Sequence, residues 1–338
     1  FNIYHFTFYF MIFVSTLISI SSYSWMGMWL GMEINLLAII PLMNQSNNIL
    51  TTESSLKYFM TQASASLVLM MSVTLMMLYS KSMNNLIFNP LLMMILNSSL
   101  LTKMGAAPFH FWFPEVIEGL NWSNSIIILT WQKITPMVLL TYNMNYPVFF
   151  SFIIIFSMLA SGILGINQVS MRKILAYSSI NHMGWMIASM FFNQSIWTIY
   201  FITYSMMTIS ICLMLKSLNI FFIKQFYSSM NSCKTIKLFF SLNFLSLGGL
   251  PPFIGFFPKW LVIQSLIDNK MILLPTFMVI LTLITLYFYV RITFTSLLIN
   301  SNETNWLTIW KSNYNKFYMM LFNFITISSL PLCSSVVN

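Results

Sequence analysis

The sequence predicts an all-α polytopic membrane protein of about eleven transmembrane helices, arranged as two inverted repeats with discontinuous helices. Three observations predict it. Of the 338 residues, 58% are apolar and only 6% are charged, with a mean hydropathy of +0.80; a soluble domain is about 25% charged. The apolar residues run in stretches close to the 20 or so that a membrane-spanning helix needs. Between them lie short polar turns that leave no space for a soluble domain, so 1–338 reads as a single transmembrane domain. Soluble enzyme, secreted domain and disordered chain are excluded together.

In chain order, the first expected span is Ile3–Ile20. It has no basic leading region and no small-residue cleavage site, so no signal peptide is expected. Trp25–Met43 follows and holds Glu33 in its interior; Leu56–Tyr79 is the third. Leu86–Phe113 carries a Gly/Pro interruption, with Lys103 just before it and His110 just after it. Ser125–Tyr142 holds Lys133 midway, and Val148–Ile166 is apolar throughout. Ile174–Phe192 contains His182, and Ile196–Leu218 precedes the long polar connection Asn219–Lys237. Leu238–Ile267 carries a second Gly/Pro interruption, directly followed by Lys259. Met271–Ile299, the polar stretch Asn300–Lys316 and Phe317–Leu332 complete the set.

The two interruptions resemble each other. Gly105-Ala-Ala-Pro108-Phe109-His-Phe-Trp-Phe113-Pro114 and Gly249-Leu-Pro-Pro252-Phe253-Ile-Gly-Phe-Phe257-Pro258 share Gly-x-x-Pro-Phe-x-x-x-Phe-Pro at an offset of 144 residues. They fall in the fourth and ninth spans and so face opposite ways across the membrane, as inverted repeats do. Broken helices expose backbone groups that hydrocarbon cannot satisfy, so broken helices near 86–113 and 238–267 must be buried in protein or line a wet cavity.

Glu33, Lys103, Lys133 and Lys259 lie inside apolar runs. At a helix centre each costs about 2.5–3.5 kcal/mol, so they are expected to be paired, hydrated or both. A lysine held between water and a carboxylate is able to take up and release a proton, because burial disfavours its charged form and a carboxylate favours it. One acid among three bases is the composition of a proton relay, and His110 and His182 are placed to bridge water chains within it. Glu115 and Glu118 fall at a span end and read as interfacial; His5, near the start, is given no role.

The net charge is +9, but the basic residues stand singly, so topology and not nucleic-acid binding explains them. Lys57, Arg172, Lys173, Lys216, Lys224, Lys234, Lys237, Lys311 and Lys316 fall in connections on the side of the N-terminus, against Lys81 and Lys270 opposite. By the positive-inside rule the N-terminus lies on the matrix or cytoplasmic side and the C-terminus opposite. Cys212, Cys233 and Cys333 form no ligand spacing with one another or with histidine, and Gly248-Gly249 lacks the continuation of a phosphate loop. The abundance of Phe and Met fits an AT-rich, organelle-type genome.

Five segments carry a family resemblance: Trp29-Leu-Gly-Met-Glu33-Ile-Asn35-Leu-Leu-Ala, Lys103 through Glu115, Trp131-Gln-Lys133, Arg172 through Trp185, and Gly248 through Trp260. Together they resemble the mitochondrial NADH–ubiquinone oxidoreductase chain 2 family, closest to its insect members, from about Trp25 to Arg291. The resemblance implies a proton-translocating, antiporter-like core subunit of respiratory complex I, in the mitochondrial inner membrane. Carried over by motif, it implies that Glu33 pairs with Lys103, that Lys133 is the central relay lysine and that Lys259 adjoins the second broken helix, with His110 and His182 at polar positions between them. It also implies that NADH, FMN, iron–sulfur clusters and ubiquinone are bound by other subunits and no cofactor by this chain. The implied partners are membrane-arm subunits, including antiporter-like and small hydrophobic ones, and membrane lipids, with no nucleic acid. The alternatives are a stand-alone cation/proton antiporter and a non-conducting structural membrane subunit.

Overall fold

The computed structural model describes residues 3–44, 48–82, 90–230 and 234–298. The expected span Phe317–Leu332 lies outside them, as do Cys233, Cys333, Lys311 and Lys316. Among the described residues the regular elements are fourteen α-helices and one 3-10 turn, with a single isolated bridge between Ser170 and Phe222. The chain divides into two compact units, Phe1–Ile153 and Ile154–Asn338. No linker marks that point in the sequence, because the division falls inside a continuous apolar helix, Pro147–Ile166.

The first unit opens with α1 (Ile3–Ser21) and α2 (Trp25–Met43), packed side by side. Ser24 caps α2 by accepting a hydrogen bond from the Gly27 amide at 3.2 Å. The two helices approach closely because Gly31 faces α1: a Cβ there would stand 2.7 Å from the Ser19 amide nitrogen. Next comes α3 (Ile49–Ser82), whose 34 residues measure about 50 Å, longer than the hydrocarbon core of about 30 Å. Its first turns therefore stand beyond the span expected from Leu56. The unit continues with α4 (Pro90–Met104), α5 (Trp112–Gly119), α6 (Trp122–Leu129), the 3-10 turn Trp131–Lys133, α7 (Ile134–Thr141) and the start of α8 (Pro147–Ile166). Here α3 packs on α2, α4 and α5, while α7 packs on α1 and α4.

The second unit contains the end of α8, then α9 (Met171–Ser189), α10 (Gln194–Leu218), α11 (Ile223–Met230), α12 (Lys234–Gly248), α13 (Phe256–Asp268) and α14 (Leu273–Leu298). Its axis is α9, buried on every side from Ile174 to Ser189 and packed against α10, α13 and α14. Asn219, in the left-handed conformation at φ 52°, ends α10. The exposed faces are apolar: Leu273, Phe277, Ile280, Leu283 and Tyr287 recur at helical spacing along α14, the stripe a lipid-facing helix presents. Buried hydroxyls such as Ser72, Ser99 and Ser157 each donate to a carbonyl one turn earlier on their own helix, so the helix backbone itself satisfies small polar residues carried inside.

Six of the described helices, α1, α2, α3, α8, α10 and α14, are long and apolar enough to cross a membrane unbroken. The remaining four expected spans that the structure describes are not of that kind. Three are divided, into α4 and α5, α6 and α7, and α12 and α13; the fourth, α9, is long enough but carries Arg172, Lys173, Asn181 and His182. Seven lysines and one arginine expected in connections lie in helices instead: Lys57 and Lys81 in α3, Arg172 and Lys173 in α9, Lys216 in α10, Lys224 in α11, and Lys234 and Lys237 in α12. Hydropathy stops a span where polar residues begin, whereas a helix continues while its backbone is satisfied and its lysine stems lie along apolar surface.

Candidate functional site

The first interruption is built by Gly105. At φ +78° it adopts a conformation that L side chains avoid, and it ends α4. Its amide donates to the Leu101 and Thr102 carbonyls at 3.0 and 3.1 Å, and the Ala106 amide donates to Leu101 at 3.1 Å, which satisfies carbonyls the broken helix leaves open. The chain passes through a cis Ala107–Pro108 bond and restarts as α5. Lys103 thus sits in the last turn of α4, where a cation suits the carbonyl end of the helix. Its side chain is 6% exposed, and Nζ lies 3.8 Å from Oε1 of Glu33 on α2. That is an ion pair without a hydrogen bond, and Oε1 of Glu33 is otherwise unpartnered.

Beside the pair is a small cavity of about 20 Å³, room for one or two water molecules, lined by Asn35, Tyr58, Gln62, Lys103, Gln132 and Thr135 together with the apolar Met32, Leu36 and Pro136. The Gln62 amide donates to the Lys103 carbonyl at 3.2 Å. Asn35 and Gln132 bond reciprocally: Asn35 Nδ2 donates to Gln132 Oε1 at 2.8 Å and Gln132 Nε2 donates to Asn35 Oδ1 at 3.1 Å.

Lys133 occupies a third interruption, absent from the sequence expectation, which placed it midway along one continuous span. Proline explains the break. Pro136 has no amide hydrogen, so the Gln132 carbonyl loses its α-helical donor and the chain tightens into a 3-10 turn over Trp131–Lys133. Lys133 is 1% exposed, its ammonium 5.5 Å from the centre of the Phe113 ring. His110, 5% exposed in the first interruption, stacks on Phe111 at 4.5 Å and lies beside the Pro108 carbonyl. Lys57 pairs with Glu53 at 3.0 Å and with Glu115 at 2.9 Å, all three exposed, which places Glu115 in a surface ion cluster.

In the second unit the sister motif repeats this local backbone. Gly249 stands at φ +80°. Its amide donates to the Ser246 carbonyl at 3.0 Å, Leu250 donates to Leu245 at 3.4 Å and Phe253 to Leu250 at 3.0 Å; 144 residues earlier, Gly105 donates to Thr102, Ala106 to Leu101 and Phe109 to Ala106. Lys259 lies after its break but reaches back, donating from Nζ to the Gly248 carbonyl at 2.9 Å. Both buried lysines therefore serve the carbonyl end of the half-helix before the break, one from within it and one from beyond it. The Lys259 ammonium is also 5.9 Å from the Trp185 ring on α9. On that helix, Nδ1 of His182 is 2.9 Å from the Tyr200 hydroxyl, and Asn181 donates to Thr285 at 3.1 Å.

Within the first unit the structure thus brings Glu33 and Lys103 together, with Lys133 in the same 3-10 turn as the cavity-lining Gln132. Within the second it sets Lys259 and His182 on packed helices α13 and α9. Sequence reasoning missed Asn35, Gln62, Gln132 and Tyr200 as partners; the available signal was an amide or phenol within an apolar run. It also missed Arg291, inside α14, which donates to the Ile166 carbonyl at the end of α8. Lys237, expected in a connection, is buried in α12 at 9% exposure. Among the described residues, no group of three or more His, Cys, Asp or Glu side chains is placed to hold a metal ion.

A family model described as NADH:quinone oxidoreductase/Mrp antiporter, TM, matches residues 22–285, a segment that contains all six candidate residues. The chain belongs to that family. Among the relatives of this NADH:quinone oxidoreductase/Mrp antiporter member, NADH-ubiquinone oxidoreductase chain 2 of Anopheles gambiae is 47% identical over 331 residues, 96% of each chain. The protein of that name from Aedes aegypti is 49% identical over 97% of this chain and 96% of its own. The one from Bos taurus is 38% identical over 95% and 94%. The fold matches a chain of respiratory complex I from Thermus thermophilus with a TM-score of 0.84 at 19% identity, over 97% of this chain and 78% of that one. It matches a chain of the Mrp complex from Dietzia sp. with a TM-score of 0.70 at 15% identity, over 83% and 58%.

Proposed function

We propose that this chain is a proton-translocating, antiporter-like subunit of respiratory complex I in the mitochondrial inner membrane. The names of the relatives support the complex, and the family supports the antiporter-like part. In this reading the N-terminus lies on the matrix side, and about eleven spans form two inverted repeats whose broken helices carry the lysines. The chain binds no flavin, iron–sulfur cluster or quinone. It takes part in NADH:ubiquinone reduction only by using its energy, and it is held among other membrane-arm subunits and lipids.

The observation that carries the reading is the Glu33–Lys103 pair, close enough to attract and too far apart to hydrogen bond. A charge pair that is not locked changes its separation at little cost in bonding, and the field at the buried Lys103 changes with the position of the part-exposed Glu33. A signal from a neighbouring subunit that draws Glu33 away releases the Lys103 proton to water in the adjoining cavity. Lys133, buried beside Phe113, is the next acceptor, and Lys259 and His182 perform the corresponding exchange in the second unit. The work is of the right size: one charge moved across 100 mV requires about 2.3 kcal/mol.

Lys133→Ala tests the reading in sealed inner-membrane vesicles, with proton pumping measured against NADH oxidation and assembly checked on a native gel. Lost pumping in an assembled complex is the expected result. Undiminished protons per NADH would overturn the relay and leave a structural subunit.

A further inference from the structure

We propose that the Asn35–Gln132 amide pair is the positioning element that couples the helix bearing Glu33 to the turn bearing Lys133, so that movement of one is carried to the other. The proposal rests on the relay reading above and adds to it the part that transmits. Glu33 and Asn35 are two residues apart on α2, and Gln132 immediately precedes Lys133. The two amides exchange both possible bonds, at 2.8 and 3.1 Å. Two bonds in opposite directions between the same side chains resist rotation as well as separation, which a single bond does not. Asn35 is 4% exposed, so separating the amides would cost its carboxamide both protein hydrogen bonds. The pair therefore moves as a unit.

The receiving end is mechanically soft. Pro136 removes the α-helical donor of the Gln132 carbonyl, so the turn lacks part of the backbone ladder that would otherwise fix Lys133, and the Gln132 side chain supplies an anchor. The other end is poised, because Glu33 Oε1 meets Lys103 at 3.8 Å with no hydrogen bond to hold it. Both amides also line the cavity beside Lys103, so their displacement reshapes the space in which a bridging water would sit. Helix shift, water site and central lysine are thus joined by one pair of side chains.

The experiment measures protons pumped per NADH oxidised in sealed vesicles, for complexes carrying Asn35→Leu, Gln132→Met, Gln132→Asn, the exchanged pair Asn35→Gln with Gln132→Asn, and Lys133→Ala. The single variants are expected to pump at a ratio nearer to Lys133→Ala than to wild type. The exchanged pair preserves the combined side-chain length and is expected to return nearer to wild type. If the apolar variants fail to assemble, Gln132→Asn against the exchanged pair decides the matter, since both keep the site polar. Single variants that pump at the wild-type ratio, while Lys133→Ala does not, would overturn the coupling and spare the relay. An exchanged pair that pumps no better than Gln132→Asn overturns it equally. A Lys133→Ala complex with normal pumping overturns the relay, and the coupling with it. A purely structural amide pair would lower assembly or thermal midpoint and leave the ratio unmoved.

Discussion

Replacing Glu33 by Gln keeps the size of the side chain and removes its charge from beside Lys103. At the observed 3.8 Å, two unit charges attract by about 4 kcal/mol for an effective dielectric constant of about 20. The Glu33 side chain is 25% exposed, and solvent screening brings that toward about 2 kcal/mol. Two kcal/mol is roughly a thirtyfold change in an equilibrium, applied here to proton transfer at Lys103. It is also close to the work of moving one proton against 100 mV. The expected outcome is an assembled complex whose NADH-driven turnover against a membrane potential falls at least about tenfold, with fewer protons pumped per NADH. Glu33→Asp withdraws the carboxylate by about one bond length and leaves an attraction of about 3 kcal/mol before screening, so that variant is expected to keep most of its pumping. Vesicle pumping assays and a native gel for both variants make the test. Wild-type rate and ratio in assembled Glu33→Gln would refute the argument that this carboxylate's field controls Lys103.

Gly249→Ala combines a left-handed backbone with a Cβ that would stand 2.7 Å from Lys259 Nζ. We expect a cost of about 1–2 kcal/mol and lost turnover, whereas Gly248→Ala, whose Cβ meets ordinary contacts at 3.7 Å, assembles normally on a native gel. Tyr200→Phe removes the 2.9 Å partner of His182 Nδ1 inside the second unit and is expected to cost about 1–3 kcal/mol. A fall in the thermal midpoint of the solubilised complex checks this, and an unchanged midpoint would show that the bond adds no stability. Lys57→Ala breaks two exposed ion pairs and is expected to leave the thermal midpoint and the assembly of the complex unchanged. Loss of assembly on a native gel would mean instead that the cluster fastens α3 to α5.

Composition and apolar run length alone determined that the chain is helical and membrane-spanning, because a backbone in hydrocarbon has few other ways to satisfy itself. Local chemistry placed two of the three interruptions, since a glycine followed by prolines cannot continue a helix, and the same signs set Lys103 and Lys259 beside them. Pro136 was an equally local sign for the third interruption, yet the apolar run around it masked the break that leaves Lys133 in a 3-10 turn. Exact helix ends were less legible: Lys57 and Lys237 read as connections because charge ends a hydropathy window before it ends a helix. What only the tertiary structure decided is distance. Asn35 and Gln132 lie 97 residues apart in the chain, and Glu33 and Lys103 lie 70 apart. Whether such side chains meet depends on how α2, α3 and α4 pack, and on a glycine at position 31 that lets α1 and α2 close up. Residue types state what chemistry is available in an apolar interior. Packing decides which of those groups face one another, and so which of them are able to exchange a proton.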